Sequence, residues 1–311
     1  MSNYQGNFTH GKRNSNWNMA FYLIGEKSRV LDVGCSNGNF GEALVKLKEC
    51  VVEGVEPDLE DAKKASSKLS KVHTGTIEEV VESIDQKDQY DHIVLLDVIE
   101  HLQYPVDVLS KLKRVLKPGG TVIFSIPNMA HQSVRIMLLS GRFEYGTTGI
   151  LDNTHLHFYT DEEINRVFIE AGYNISDLKG VSVMYDEETL KSQLSQIGIS
   201  NPSSDLIQVL ESKNAHIYQY VGAARISNSK VIAKIQRQFQ SPQAKNIINE
   251  SHKKKMIEMD KEIADYSRRN TNLMNEIKAI KASRTWKIAC KLQKLSPHNI
   301  RHFQKSNREK K

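Results

Sequence analysis

The stretch VLDVGCSNGNFG, from Val30 to Gly41, joins an apolar run that ends in an acid to a loop of small residues. The run predicts a buried strand, and the glycines that follow predict a tight turn into a helix. The same letters match two other motifs. Gly34, Ser36 and Gly38 spell the G-x-S-x-G of a hydrolase nucleophile elbow, and the glycines partly match the G-x-G-x-x-G of a dinucleotide-binding turn. The surrounding chain decides between these interpretations.

Position in the chain argues against a hydrolase. A nucleophile elbow follows a central strand that comes after several earlier strands, whereas the 29 residues before Val30 contain no strand pattern. The candidate triad partners Asp152 and His155 are separated by only two residues, with no strand between them. The dinucleotide motif fails as well, because Ser36 and Asn39 occupy its second and third glycine positions.

Strands and helices alternate from Val30 to about Ile226. The predicted strands are SRVLDVG, VVEGVEPD, HTGTIEE, YDHIVLLDVIEHL, TVIFSIPN, NISDLKGVSVMY and HIYQYVGAARI. Predicted helices cover residues 39–47, 59–69, 105–116 and the segment DEEINRVFIEAGY. This alternation predicts a parallel sheet with helices on both faces, and ligands of such sheets bind at the carboxyl ends of the strands.

Four segments in this order resemble the motifs of class I S-adenosylmethionine (SAM)-dependent methyltransferases, over about residues 28–226. DVGCSNG, from Asp32 to Gly38, resembles the first motif, with Ser36 at the usual middle glycine. VEGVEPD, LLDVIEHL and LKPGGTVIFSIPN resemble the segments that follow. The resemblance implies an α/β fold, a Rossmann-like methyltransferase sheet of seven strands with helices on both faces, and SAM as the cofactor.

The resemblance also implies which residues bind the cofactor. Asp32 would help to hold its charged amino end, and Glu56 would accept both ribose hydroxyls. Thr76 stands where the family often has an acid for the adenine, which leaves Ile77 and Glu78 as candidates there. The implied cofactor-binding residues are Asp32, Gly34, Cys35, Gly38, Glu56, Ile77, Glu78, Asp97 and Val98.

Two histidines are candidates for the general base that a hydroxyl acceptor would need. His101 comes just after the fourth strand, where the resemblance implies that Glu100 and His101 face the acceptor. His155 lies in LDNTHLHFYT, with Asp152 available to orient a histidine. The choice between His101 and His155 stays open. No metal site is predicted, because the pair His155 and His157 has no evident third ligand.

The segment GRFEYGTTGILDNTHLHFYTDEEI resembles methyltransferases that accompany bacterial cell-surface polysaccharide enzymes, which are related to quinone O-methyltransferases. The acceptor hypothesis is therefore a surface-glycan sugar or its lipid-linked precursor. A quinone or other small molecule is the alternative acceptor, and N-methylation of an amino sugar stays open. A non-catalytic SAM-binding scaffold that recruits glycan enzymes is a further hypothesis. The aromatic residues Phe143, Tyr145, Phe158 and Tyr159 would either stack on the acceptor or pack in the core.

Charge and periodicity set the end of the chain apart. Residues 251–311 carry 17 Lys/Arg and 6 Asp/Glu, a net +11, whereas the preceding 250 residues carry a net −5. We therefore predict a methyltransferase domain at 1–228, a helical coiled-coil segment at 229–282 and a basic amphipathic tail at 283–311. The mildly acidic main body argues against a nucleic-acid-binding surface.

The coiled-coil prediction depends on a spacing of alternating threes and fours. Its a and d positions are Met256, Met259, Ile263, Tyr266, Asn270, Leu273, Ile277 and Ile280. Such a helix would either form a homodimer or fold back on its own domain. In the tail, Ile288, Leu292 and Leu295 share a face flanked by lysines, which suits contact with an anionic membrane. A tail that only adds solubility, and a tail that contacts nucleic acid, also fit that segment.

Composition predicts a cytoplasmic protein. Peripheral contact with the inner face of the membrane is an alternative form of this prediction. The polar start MSNYQGNFTHGKRNSN lacks the apolar core of a signal peptide. The three cysteines, Cys35, Cys50 and Cys290, show no CxxC spacing. Such a scattered, odd-numbered set predicts free thiols and neither disulfides nor a zinc cluster.

Overall fold

The computed structural model describes residues 14–85, 89–212 and 214–227. Its strands are β1 Arg29–Val33, β2 Val51–Glu56, β3 Lys71–Thr74, β4 Tyr90–Leu96, β5 Leu116–Pro127, β6 Tyr173–Ser182 and β7 Ile217–Ile226. Its helices are α1 Asn16–Leu23, α2 Asn39–Lys48, α3 Leu59–Ala65, α4 Ile77–Val80, α5 Pro105–Leu112, α6 Gln132–Leu139, α7 Asp161–Glu170, α8 Glu187–Gln196 and α9 Ser204–Glu211. A 3-10 turn spans Ile99–His101.

The seven strands form one sheet in the order β3-β2-β1-β4-β5-β7-β6. The first five strands pair in parallel, while β7 runs antiparallel to both of its neighbours, β5 and β6. The predicted seven-stranded, Rossmann-like fold is confirmed, but the prediction of a wholly parallel sheet is wrong at β7. A buried apolar run looks the same in either direction, because strand direction is decided by the connection that precedes it.

Two further details differ from the sequence prediction. Helix α1 lies in the segment to which no element was assigned, and it packs Ala20 and Phe21 into the core together with Ile24, which follows the helix. The predicted turn Lys117–Gly120 falls inside β5, where the pairing with β4 shifts between Leu116 and Thr121. Gly119 accommodates this irregularity with a left-handed φ of +81°.

The core has a layer on each face of the sheet, which confirms helices on both sides. Alternation along β1 places Val30 in one layer and Leu31 in the other. The Val30 layer is completed by α1 and α2, with Phe40 and Leu44 from α2. The opposite layer is completed by α5 and α7, where Phe168 packs against Phe124 with ring centroids 4.3 Å apart.

No helix in residues 14–85, 89–212 and 214–227 is both long and apolar enough to cross a membrane. The predicted coiled-coil segment at 229–282 and the tail at 283–311 lie outside the described residues, as does the domain boundary at residue 228.

Candidate active site

The loop after β1 adopts a backbone that suits glycine at three positions. Gly34, Ser36 and Gly38 all have left-handed φ values, of 69°, 47° and 77°. Ser36 therefore stands at a glycine-type position, as the resemblance implies, and its backbone is strained there. Its hydroxyl lies 3.4 Å from Asp61 Oδ2. This contact places the side chain against an acid of α3, which is no surrounding for a hydrolase nucleophile.

Gly34 brings three strand ends together. Its backbone N–H and that of Cys35 donate to the Val55 carbonyl at the end of β2, at 2.8 and 3.1 Å. A Cβ on Gly34 would lie 2.8 Å from Cγ2 of Val98, which follows β4. Cys35 is buried beneath the loop, where its thiol occupies the space above Gly54. Burial raises the pKa of the Cys35 thiol, so it contributes packing and a backbone amide to the site.

Glu56 fastens the loop to β2. Its Oε2 accepts from the Ser36 N–H at 2.7 Å, and its Oε1 accepts from the Asp58 N–H at 3.0 Å. Burial raises the pKa of Glu56, although these two bonds oppose the shift. Each carboxylate oxygen can accept a second bond, so Glu56 keeps the capacity expected for a pair of ribose hydroxyls.

Asp32 provides a direct test of whether a cationic cofactor fits here. The residue is 3% exposed, and its Oδ2 has no hydrogen-bond partner among the described residues. Burial, together with the nearby Glu56, raises the pKa of Asp32 to about 7. A buried carboxylate without a partner is costly unless a positive group compensates it. The residues present therefore fit a ligand with a cationic end, as SAM has.

Asp97 is held by three elements distant in the chain. Its Oδ2 accepts from Asn16 Nδ2 at 3.1 Å, and its Oδ1 accepts from Ser125 Oγ at 2.9 Å and also from Gln219 Nε2. Burial raises the pKa of Asp97 to about 6 despite these bonds. The φ of Asp97 is 57°, a left-handed value. Its carboxyl group is therefore carried by a strained backbone next to Val98.

Asn16, Ser125 and Gln219 belong to this site and were not among the sequence candidates. Asn16 and Gln219 lie 81 and 122 residues from Asp97. Neither stands in a recognisable motif, so no sequence signal pointed to them. Only Ser125 carried a weak signal, because it lies in the segment LKPGGTVIFSIPN.

The candidates for the adenine contact lie at the start of α4. Thr76 is the N-cap of this helix, in a capping box with Glu79. Ile77 is 4% exposed and packs in the core, while Glu78 is half-buried in the first turn. The Gly75 N–H donates to the Glu56 carbonyl at 3.0 Å, which places this helix start beside the end of β2. A contact of Ile77 or Glu78 with the cofactor stays a prediction.

A second group of residues gathers where the 3-10 turn meets the loop 152–157. The Glu100 carbonyl accepts from the Leu156 and His157 backbone N–H groups at 2.9 and 3.1 Å. The rings of His101 and His155 then lie edge to face with centroids 4.7 Å apart. The structure therefore brings the two candidate bases into one place, although the loop that carries His155 is far from His101 in the sequence.

Backbone contacts place a proton on Nδ1 of both histidines. Nδ1 of His155 lies 3.1 Å from the Ile150 carbonyl, and Nδ1 of His101 lies 3.2 Å from the Thr154 carbonyl. Because a carbonyl only accepts, each Nδ1 carries a proton, and in the neutral form of each ring the lone pair is on Nε2. Burial and the neighbouring His101 lower the pKa of His155. His155 is therefore neutral near pH 7.

Asp152, expected to orient a histidine, acts through an intermediate. Its Oδ1 accepts from the N–H and the hydroxyl of Thr154, at 2.8 and 2.7 Å. Thr154 in turn meets His101 Nδ1 through its carbonyl, at 3.2 Å, and its hydroxyl, at 3.3 Å. Asp152 thus positions Thr154, and Thr154 positions His101.

Glu100 is the most unusual residue of this group. It is 1% exposed, and neither carboxylate oxygen has a hydrogen-bond partner within the described ranges. Burial and the negative charge of Asp97 raise the pKa of Glu100 well above its ordinary value. The buried His155 Nε2 and the buried Tyr159 hydroxyl likewise have no hydrogen-bond partner among the described residues. Such orphaned polar atoms mark a place where a ligand would complete the hydrogen bonds.

These atoms lie at a narrow recess, which Glu100, Met129, His155, Phe158 and Tyr159 help to line. Tyr159 is buried, which agrees with the alternative that it packs in the core. Phe158 continues outward to two exposed rings. The centroids of Phe143 and Tyr145 lie 5.7 and 6.3 Å from that of Phe158.

Comparison with known proteins assigns the family. The model of a family described as a methyltransferase domain matches residues 14–178, more than half of the 311-residue chain. The chain therefore belongs to this methyltransferase family, and its cofactor is SAM. The predicted family and cofactor are confirmed, and the hydrolase and dinucleotide interpretations have no support.

Curated relatives cover part of the chain. The ubiquinone biosynthesis O-methyltransferase of Dinoroseobacter shibae is 29% identical over 161 residues, which are 49% of this chain and 62% of that protein. The Pseudomonas savastanoi protein of the same name is 29% identical over 170 residues, 51% of this chain and 69% of its own length. Among solved structures, a SAM-dependent methyltransferase from Archaeoglobus fulgidus aligns with a TM-score of 0.45 and 18% identity, over 67% of this chain and 91% of that one.

Proposed function

We propose that this protein is an O-methyltransferase that transfers the SAM methyl group to a hydroxyl of a hydroxylated ring at the mouth of the recess. One observation carries the proposal. Glu100 and His155, both buried, turn unpartnered polar atoms toward a recess that begins two residues after Val98, which itself contacts the cofactor loop. The residues that would hold the cofactor are Asp32, the loop Gly34–Gly38 and Glu56.

When bound, SAM supplies an activated methyl group on a positively charged sulfur, which keeps the electron pair of the broken bond. The residues at the mouth of the recess hold the acceptor so that its oxygen faces this methyl group, and such positioning does much of the catalytic work. A hydroxyl acceptor also has to lose its proton as the new O–C bond forms. The group formed by Glu100, His101 and His155, hereafter the Glu–His–His cluster, governs that proton.

The acceptor class favoured by this recess is a hydroxylated aromatic ring of the quinone-precursor type. Aromatic side chains Phe143, Tyr145 and Phe158 form a continuous surface next to the orphaned polar atoms. Stacking of planar rings on such a surface is favourable. The curated relatives named above are ubiquinone O-methyltransferases, which supports the same class.

A surface-glycan sugar or its lipid-linked precursor is the second candidate. It is supported by the segment from Gly141 to Ile164, which resembles methyltransferases that accompany polysaccharide enzymes. The recess borders this segment, and sugar rings also stack on aromatic side chains. Dimerisation through residues 229–282 and peripheral contact of residues 283–311 with an anionic membrane remain proposals that depend on the sequence pattern alone.

The test uses the full-length chain and SAM with a deuterated methyl group. Separate reactions contain a hydroxylated aromatic ring, a glycan fraction from the source cell and an amine acceptor. Mass spectrometry then locates the added label. Label on an aromatic hydroxyl supports the proposal, label on a sugar hydroxyl supports the second candidate, and label on nitrogen contradicts O-methylation. SAM binding without any transfer supports the scaffold hypothesis.

A matched set of variants locates the site. We expect His155→Ala and His101→Ala to lower turnover while leaving SAM affinity intact, because neither residue belongs to the cofactor loop. Titration calorimetry measures that affinity independently of turnover. Full turnover in both variants would place the acceptor site elsewhere.

A further inference from the structure

We propose that three residues, Asp61, Ala65 and Lys68, hold the cofactor loop Gly34–Gly38 in the shape that binds SAM. These residues are hereafter the α3 clamp, and Lys68 is its main positioning residue. None of the three was a candidate in the sequence, because none stands in a recognisable motif. The inference concerns SAM binding alone and does not depend on the identity of the acceptor.

The three clamp residues share one face of a helical segment. They are spaced by four and three residues, so their side chains project from the same side. Helix α3 ends at Ala65, but the N–H groups of Lys68 and Leu69 both donate to the Ala65 carbonyl, at 2.9 and 3.0 Å. These bonds extend the turn as far as Lys68. One continuous segment therefore presents all three residues to the loop.

Lys68 joins the end of the loop to the start of α2. Its Nζ donates to the Asn37 carbonyl at 2.8 Å and to Asn39 Oδ1 at 2.5 Å. A lysine beside the first turn of a helix is electrostatically unfavourable, because the helix dipole places partial positive charge there. The position of Lys68 is therefore explained by the two oxygen atoms that it binds, and not by stabilisation of α2.

Ala65 sets the distance between the loop and the helix. A Cβ on Gly38 would lie 3.0 Å from the Ala65 Cα and 3.1 Å from the Ala65 Cβ. Gly38 also has a left-handed φ of 77°, which suits glycine. Ala65 is fully buried, so a larger side chain there would not fit either. The backbones of the loop and of the clamp are thus in close contact at this point.

Asp61 holds the middle of the loop, where the backbone is strained. It is 2% exposed, and its Oδ2 accepts from Ser36 Oγ at 3.4 Å while its Oδ1 accepts from Lys64 Nζ at 2.8 Å. Ser36 has a left-handed φ of 47°, a conformation that is unfavourable for residues other than glycine. The contact with Asp61, together with the bond from the Ser36 N–H to Glu56, offsets this strain.

Glu56 links the clamp to the cofactor. Its Oε2 accepts from the Ser36 N–H in the loop, and its Oε1 accepts from the N–H of Asp58, the N-cap of α3. The Asp58 side chain in turn accepts from the N–H groups of Glu60 and Asp61, at 3.0 Å each. The residue expected to accept the ribose hydroxyls is therefore attached both to the loop and to the start of the clamp helix. A displacement of α3 would move the loop and Glu56 together, so the clamp controls cofactor affinity.

The clamp acts on both forms of the cofactor. SAM and its demethylated product, S-adenosylhomocysteine, differ only in the methyl group and its positive charge. A residue that shapes the loop contributes equally to the binding of both compounds, whereas a residue at the sulfur atom would discriminate between them. Equal losses of affinity for the two compounds are therefore the signature of the clamp.

The test measures the affinity of the full-length chain for SAM and for S-adenosylhomocysteine by titration calorimetry. We expect Lys68→Met to weaken both by at least about tenfold and to the same extent, because two bonds from a charged donor are lost. Lys68→Arg should recover most of this loss, since a guanidinium can donate to the same two oxygen atoms. Unchanged affinity in Lys68→Met, or a loss confined to SAM, would overturn the proposal.

Lys64→Met is the matched control. Lys64 belongs to the same helix, and its side chain is 52% exposed and donates to Asp61, not to the loop. The affinity of this variant for SAM should equal that of the wild-type chain. A loss as large as that of Lys68→Met would show that the charge on α3, and not the bonds to the loop, determines the affinity, which contradicts the proposed clamp.

Ser36→Gly separates the clamp from the stability of the fold. Glycine adopts the left-handed φ without strain, so the free energy of unfolding of the cofactor-free protein, measured with urea, should not fall. SAM affinity should nevertheless drop by about two- to tenfold, the range of one net hydrogen bond, because Asp61 loses its contact with the loop. A variant that binds SAM as tightly as the wild-type chain would overturn the role of Asp61. This variant also tests the clamp if Lys68→Met fails to fold.

Discussion

Gly34 illustrates how one missing side chain determines the cofactor loop. Its left-handed φ of 69° would strain any other residue, and a Cβ would also approach Val98 Cγ2 at 2.8 Å. Gly119 shares the first property, with φ of 81°, but has no atom within 4 Å of the Cβ position. Comparing substitutions at the two glycines therefore distinguishes the cost of backbone strain, which both positions have, from the cost of a steric conflict, which only Gly34 has.

We predict that Gly119→Ala lowers the free energy of unfolding by about 1–2 kcal/mol, the cost of a left-handed conformation. Gly34→Ala should cost more and also weaken SAM binding, because the loop has to move away from Val98. Urea denaturation and SAM titration measure the two effects. Equal losses in both variants would show that the contact with Val98 is unimportant.

Asp32 predicts a pH dependence of stability. Burial raises its pKa from the ordinary 3.8 to about 7, so between these values the folded state binds more protons than the unfolded state. Raising the pH through this window therefore lowers the free energy of unfolding, by at most about 4 kcal/mol at about 1.4 kcal/mol per pH unit.

We expect Asp32→Asn to make this dependence shallower, since an amide does not titrate, while Glu56, Asp97 and Glu100, whose pKa values burial also raises, still contribute. Urea denaturation of the cofactor-free protein at several pH values between about 4 and 7 measures it. A variant with the same slope as the wild-type chain would assign the titration to another group.

Among the structural elements, α1 has a role that its short sequence does not reveal. It packs Ala20 and Phe21 against one face of the sheet, and Asn16 in its first turn donates to Asp97. An eight-residue helix has little stability alone. Its position therefore depends on tertiary packing and on this hydrogen bond.

We predict that Asn16→Ala lowers the free energy of unfolding by about 1.5–3 kcal/mol, the value of a hydrogen bond to a charged group. SAM binding should weaken as well, because the Asp97 carboxylate loses one of its three donors. Asn174→Ala is the control, an exposed position on β6 that should change stability by no more than about 0.5 kcal/mol. Similar losses at both positions would contradict a specific role for Asn16.

Strand ends explain which functional residues were recognisable before the structure was known. Asp32, Glu56 and Asp97 each follow an apolar run, and residues at the carboxyl ends of neighbouring parallel strands gather at one edge. The Glu–His–His cluster was less accessible, because His155 lies in a loop without strand or helix periodicity. Its position depends on the two backbone bonds to the Glu100 carbonyl.

For the molecule as a whole, charge separates the described domain from the end of the chain. Residues 251–311 carry a net +11 and the rest carry −5. We predict that removing residues 251–311 yields a monomer that binds SAM as well as the full chain does, because the residues expected to hold the cofactor lie between Asp32 and Val98, and the donors to Asp97 lie between Asn16 and Gln219.

Light scattering after size-exclusion chromatography measures the mass of both proteins, and titration calorimetry measures SAM affinity. A truncated protein that is still a dimer would contradict the coiled-coil prediction. Sedimentation with anionic and neutral vesicles tests the tail in the full chain, where binding to anionic vesicles alone is the expected result.

The sequence by itself determined the class of this protein. Apolar runs with glycine and acids at their ends are local patterns, and they predicted the strands and the loop Gly34–Gly38, while the resemblance of these segments to SAM-dependent methyltransferases implied the cofactor. Local patterns suffice there because strand, turn and helix periods extend over only a few residues.

The tertiary structure alone decided the rest. The antiparallel direction of β7, the three donors to Asp97, and the meeting of Glu100 and His101 with His155 all join residues far apart in the chain. The physical reason is that each depends on the path of the connecting segments and on which polar atoms the core leaves without partners. No period or motif in the sequence encodes either property.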